Sequence, residues 1–145
     1  MIIKISKAVW LFSLLATMSV FLYNYASLPE DIVFSDTGSF SVSRNAVFYL
    51  ALGLLAVINS LVFVVPRIFP DSEPFFLAWF CGLVTFLNLF IIVALQFISL
   101  YNSQERFNYQ SIGYIIYGSL AMVVLWSSIW PVYGIIRRFT SKQAI

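Results

Sequence analysis

Histidine is missing from this 145-residue chain, and cysteine occurs once. Without His and with a lone Cys81, neither a Cys/His zinc site nor the usual haem or iron–sulfur ligation can be assembled, and no internal disulfide is possible. Cys81 lies inside an apolar run and reads as a small buried apolar residue. Charge is scarce too. Lys, Arg, Asp and Glu make up 10% of the chain, where a soluble domain carries about a quarter, too little to solvate a globular surface of this size. The net charge is only +2 and no basic cluster is interleaved with aromatics, so nucleic acid is not an expected partner. The charges also avoid the middle of every long apolar run, which removes the titrating group that a proton-coupled exporter needs at depth. No nucleophile has a base: Ser127 and Ser128 lack a His or Lys partner within the run that holds them. Glu30 and Asp31, beside Pro29, read as solvated loop charges rather than an acid/base couple or a divalent-cation site. No catalytic residue, metal or cofactor is expected.

What the chain does have is hydrocarbon. It is 61% hydrophobic and 19% aromatic, with a mean hydropathy of +0.94. Four apolar runs, at about 8–25, 46–65, 75–99 and 111–136, approach or exceed the roughly 20 residues that cross a bilayer core as a helix. The first follows Lys4 and Lys7 like a signal peptide. It is nearly as long as a full span, however, and Asn24-Tyr25-Ala26 offers no small-residue cleavage signature, so a retained helix is expected, with Trp10 near one interface. Pro29 ends it, and Pro66 and Pro70 end the second run. Asp71 or Ser72 is a start signal for the third, and Ser43 or Asn45 for the second. Pro131 is expected to kink the fourth, with Trp126, Trp130 and Tyr133 in an interfacial aromatic belt. With both termini inside, the cytoplasmic face holds Lys4, Lys7, Arg67, Arg137, Arg138 and Lys142, and the external face only Arg44 and Arg106, as the positive-inside rule requires. The predicted fold is therefore a single all-α integral membrane domain, a four-helix bundle with N and C termini in. Its external loops are 26–45 and 100–110, and its cytoplasmic loop is 66–74.

The longest polar interruption, residues 26–45, is where recognition outside the lipid is expected. Glu30, Asp31, Phe34, Asp36, Phe40 and Arg44 are its candidate partner-binding residues. Asp36-Thr37-Gly38 is a turn signal. The alternation of Phe34, Phe40 and Val42 fits a short hairpin or side chains folded back onto the helix ends; the second is favoured, because an isolated hairpin is marginal. Inside the spans the polar residues are neutral and fall in stripes at helical spacing. These are Gly53, Ala56, Asn59 and Ser60 on the second, Ala78, Gly82, Thr85 and Gln96 on the third with Cys81 and Asn88 at the edge, and Gly113, Tyr117, Ala121, Ser128 and Pro131 on the fourth. Small residues allow close helix approach, and amides and hydroxyls bond across helices. The stripes are read as helix seams, with a polar cavity along Asn59, Asn88 and Gln96 as the alternative.

The run Leu28-Pro29-Glu30-Asp31-Ile32, followed by Gly38 and then Ser43-Arg44 at the mouth of the second span, resembles the unit of SdpI-like bacterial immunity and signalling membrane proteins. The resemblance covers about residues 10–65. It departs from the family where Val33 and Phe34 replace a proline and a histidine–phenylalanine pair. It implies a multi-pass protein of the bacterial cytoplasmic membrane that senses or protects against an external peptide. The expected function is non-catalytic and works through protein–protein contacts, as an accessory subunit, assembly factor or immunity-type protein. Membrane lipid and a membrane-protein partner or a second copy are its expected company. A small oligomeric transporter or lipid-binding protein is the alternative.

Overall fold

The computed structural model describes residues 1–34, 40–69, 73–103 and 109–142, with the side chains of the last helix from 113 to 140. In chain order the elements are α1 (Ile2–Ser27), β1 (Asp31–Val33), β2 (Ser41–Ser43), α2 (Arg44–Ile68), α3 (Pro74–Tyr101) and α4 (Tyr109–Lys142). All four helices are long and apolar enough to cross a membrane. Large apolar side chains such as Phe12, Tyr49, Leu50 and Leu125 stand on the outside, the inverted surface that calls for lipid rather than water.

The helix ends follow local chemistry. Ser43 caps α2, its Oγ accepting from Ala46 N–H at 3.3 Å, and Pro74 sits in the first turn of α3, where its missing N–H costs nothing. Pro66 does not end α2 as expected. The helix runs on to Ile68, because a proline this close to the end removes one bond while Phe69 N–H still reaches the Val65 carbonyl at 3.0 Å. Helix α4 likewise continues through Pro131. The expected turn Asp36-Thr37-Gly38, the start signals Asp71 and Ser72, and the loop charges Glu105 and Arg106 lie outside the described residues.

Helix α3 is the axis of the molecule. Helix α1 lies along it in the same direction and α2 returns against both, while α4 packs on another flank of α3, across a groove from the first turns of α1. Two apolar clusters fill the α1–α2–α3 interior: Trp10, Val62, Cys81 and Val84 at one level, and Phe21, Leu55, Ile91 and Leu95 nearer the hairpin. Helix α4 contributes no buried residue among those described, so the bundle is a three-helix core with a fourth helix laid against its outside.

Three expectations are corrected here. First, the small-residue stripes on α2 and α4 do not mark their seams. Gly53, Ala56 and Ser60 point outward, as do Tyr117, Ala121, Ser128 and Pro131. Helix α2 buries Leu55, Asn59 and Val62 instead, and α4 turns Ile116, Ser119, Val123, Trp126 and Trp130 inward. In hydrocarbon a small residue is no less at home on the outside than a leucine, so smallness alone does not fix a face. Second, Trp10 is buried in the core rather than anchored at an interface. Third, the loop after α1 does form a hairpin. Strands β1 and β2 pair antiparallel with Asp31 opposite Ser43, Ile32 opposite Val42 and Val33 opposite Ser41. It escapes the marginal stability of an isolated hairpin because it is not isolated: Ile32 is 0% exposed, packed down onto the helix ends.

Candidate functional site

The interior polar site begins on α1, whose buried face reads Trp10, Ser13, Thr17, Phe21 and Asn24, a 3–4 spacing that holds one stripe against its neighbours. Across from it, Asn59 of α2 and Asn88 of α3 exchange hydrogen bonds. Asn59 Nδ2 donates to Asn88 Oδ1 at 2.9 Å, and Asn88 Nδ2 donates to Asn59 Oδ1 at 3.0 Å. The Trp10 indole N–H also donates to Asn59 Oδ1, at 2.8 Å. The remaining protons go to the Leu55 carbonyl from Asn59 at 2.9 Å and to Ser13 Oγ from Asn88 at 3.1 Å. Thr17 Oγ1 completes the set, bonding the Ser13 carbonyl at 2.7 Å and lying 3.3 Å from the Asn88 carbonyl.

Every amide proton of the pair is therefore used, and Asn88 is 0% exposed. A buried polar group is costly unless paired, and here each helix supplies what the other two lack. Chemically the pair is a neutral lock with no amide proton left over for a ligand. The other residues of the α3 stripe are elsewhere. Gln96 lies about two turns beyond Asn88, roughly 12 Å along the axis, and is half-buried. Gly82 and Thr85 face the α4 flank. The sequence reading missed Ser13 and Thr17, whose signal was polarity repeating at helical spacing in an otherwise apolar run.

On that flank, an ideal Cβ added at Gly82 would meet the Trp126 ring at 2.5 Å, so only glycine admits the indole. Trp79 and Trp126 then bond reciprocally: each indole N–H donates to the other residue's main-chain carbonyl, at 2.8 and 3.0 Å. Trp130 packs beside them in tilted contact with Phe76 and Trp79, and the guanidinium of Arg137 pairs with Glu73 at the end of the seam. Trp126 and Trp130, expected in an interfacial belt, are thus parts of the α3–α4 seam. Between α4 and the first half of α1 the seam leaves a lateral groove of about 490 Å³. Thr85 lines it, with its hydroxyl turned back to the Cys81 carbonyl at 2.9 Å.

The hairpin is the second site. Asn102, at the end of α3, clamps its outer edge: Val33 N–H donates to Asn102 Oδ1 at 2.7 Å, and Asn102 Nδ2 returns a bond to the Val33 carbonyl at 3.2 Å. An amide side chain thereby takes the place of a third strand. On the inner edge Arg44 N–H donates to the Glu30 carbonyl at 2.7 Å. The Arg44 guanidinium donates to the Leu28 carbonyl at 2.8 Å and stands 5.0 Å from the Tyr25 ring centre, a cation–π distance. The structure thus turns Arg44 inward as a tie. Glu30 and Asp31 are exposed. Phe34 and Phe40 lie side by side with ring centres 6.1 Å apart, exposed by 41% and 59%. Asp36 lies outside the described residues. Beneath the hairpin, Asn24 Oδ1 and Arg44 Nε are buried without a partner. Both residues line one cavity of about 10 Å³, close to the smallest volume that holds a water.

Among the described residues no group of three or more His, Cys, Asp or Glu side chains is placed to hold a metal ion. Comparison of the chain with protein-family models, with curated proteins and with solved structures returned no match.

Proposed function

We propose that this chain is a non-catalytic, four-span protein of the bacterial cytoplasmic membrane, with both termini in the cytoplasm, that acts by presenting its external hairpin to another membrane protein. The observation that carries this reading is the mounting of the hairpin. Asn102 and Arg44 fix a short two-stranded ribbon to three helices, and the fixed ribbon holds out two adjacent phenylalanine rings beside the exposed acids Glu30 and Asp31. Rigid aromatic anchors are what a binding surface uses, and fixing them in advance lowers the entropy lost on association. The asymmetry of Lys and Arg supports the orientation. The SdpI-like run over Leu28–Ile32 and Ser43-Arg44 supports an immunity or sensor role over that of a general assembly factor or accessory subunit. The transporter alternative draws its path along Asn59, Asn88 and Gln96. The saturation of the first two amides by each other and by Trp10 and Ser13 weighs against it.

A photoreactive phenylalanine analogue placed at Phe34 or Phe40, irradiated in the native membrane, tests the proposal by mass spectrometry of the adducts. One defined membrane protein captured at stoichiometric yield is the expected result, with yield falling in an Asn102→Ala background that frees the edge of the hairpin. Adducts to lipid or to the chain itself alone would overturn it.

A further inference from the structure

The lateral groove belongs to neither the amide lock nor the hairpin. Its walls are Ile5 and Val9 from α1, Phe86 and Leu89 from α3, and Trp126 and Ile129 from α4. The two hydroxyls that line it are already engaged: Ser6 Oγ donates to the Ile2 carbonyl at 3.1 Å and Thr85 Oγ1 to the Cys81 carbonyl at 2.9 Å. The groove therefore offers a ligand chiefly hydrocarbon contact, with no free hydroxyl proton along its length.

Dimensions decide what fits. From Phe75 to Leu89 the groove follows α3 for about 21 Å at 1.5 Å per residue. That is enough to take in one leaflet of a bilayer core, about 15 Å. Even with its open side counted the space is about 1060 Å³. Spread along that length it is roughly 8 Å wide, less than the 10–12 Å of a helix with its side chains. An acyl chain fits within that width along the whole length, while a neighbouring helix would rest on the rim. The groove opens at the end of the molecule that holds the first turns of α1 and α3 and the last turns of α2 and α4. Among the described residues that end carries Lys4, Lys7, Arg67, Arg137 and Arg138 against Glu73. Arg137 is engaged by Glu73, while Lys4 and Lys7 are exposed on the first turns of α1, where long stems reach the head-group layer.

We propose that the groove binds one phospholipid of the leaflet on the side of both termini. An acyl chain lies between α1 and α4, and an anionic head group is held by the basic end of the molecule. The site rests on the proposed membrane span of the helices and not on any partner of the hairpin, so it stands even where no such partner is captured.

The test uses the full chain reconstituted in vesicles of equal phosphatidylglycerol and phosphatidylcholine, extracted in mild detergent and read by native mass spectrometry. One retained phospholipid per chain is expected, with the anionic lipid preferred by about five-fold or more, as a membrane-proximal basic charge confers. Filling the groove from α1 with Val9→Phe, or independently from α4 with Ile129→Phe, should lead to loss of the retained lipid while the thermal unfolding midpoint stays in place. Both residues stand at the surface, so two separate chances of a folded plugged protein exist. The double change Lys4→Gln, Lys7→Gln should bring the anionic preference towards unity without emptying the groove. Undiminished retention in a folded plugged variant would overturn the site. So would no retained lipid, or a disulfide between two copies carrying Val9→Cys at stoichiometric yield, which would place a second chain there instead.

Discussion

Asn59 and Asn88 show how a polar side chain becomes a structural residue in an apolar chain. Each is the other's main partner, so removing one strands the other. Asn88→Leu leaves Asn59 with a buried, half-satisfied amide, a loss of about 1–3 kcal/mol. Asn59→Leu in addition removes the orphan, leaving the Trp10 indole as the one group that loses its acceptor. The double variant should therefore be less destabilised than the sum of the single ones, by about 0.6–2 kcal/mol of coupling. Denaturant titration of the four proteins in mixed micelles measures this, and strict additivity would show that the amides act separately. At this scale the sequence was readable where polarity, not size, marked the face. Asn59 and Asn88 stood out, whereas Ser13, Thr17 and Asn24, which recur on α1 at helical spacing, went unread. Gly53, Ala56 and Ser60 misled because nothing about a small side chain says whether it faces a helix or lipid. Gln96 shares the stripe of Thr85 on a helical wheel but lies too far along α3 to join the pair.

Helix α4 is attached differently from the other three. Among its described residues it buries none, and its seam with α3 centres on Gly82, Trp79 and Trp126. Gly82→Ala puts a methyl group into the Trp126 ring, and the indole cannot retreat without straining its bond to the Trp79 carbonyl. The expected cost is about 1–3 kcal/mol of overpacking. It should appear as faster proteolysis or hydrogen exchange within α4 while the α1–α2–α3 core keeps its protection. Gly53→Ala, where no atom lies within 4 Å of the added carbon, should be neutral or stabilising by up to about 1 kcal/mol. Equal effects of the two changes would refute the seam. The four helices were legible from their apolar runs, since length and hydropathy suffice for that. The hairpin was not, because its decisive bond comes from Asn102, some seventy residues downstream of the strand it clamps. Local propensity cannot report a partner at that separation. The α3–α4 seam was half legible: Gly82 was marked as a seam residue, but its partner tryptophan looked like an interface anchor, a place where tryptophans are also common.

For the whole molecule, the proposed orientation has a direct check. In a Cys81→Ser background, single cysteines at the exposed positions Ser41 and Lys7 should react with a membrane-impermeant maleimide from opposite sides, Ser41→Cys in intact cells and Lys7→Cys only after permeabilisation. The reverse pattern would invert the molecule and put the hairpin in the cytoplasm.

The neutral interior has an electrical consequence. An elementary charge moved through the full potential across a membrane gains or loses about 2.3 kcal/mol per 100 mV, enough to bias a packing arrangement. Between the end turns of these four helices the sequence places no ionised group, and the polar contacts that join α1, α2 and α3 at depth are made by amides, hydroxyls and an indole. With no buried charge to act on, the voltage does almost no work on the packing. The scaffold carrying the hairpin should keep the same shape whether the membrane is energised or collapsed.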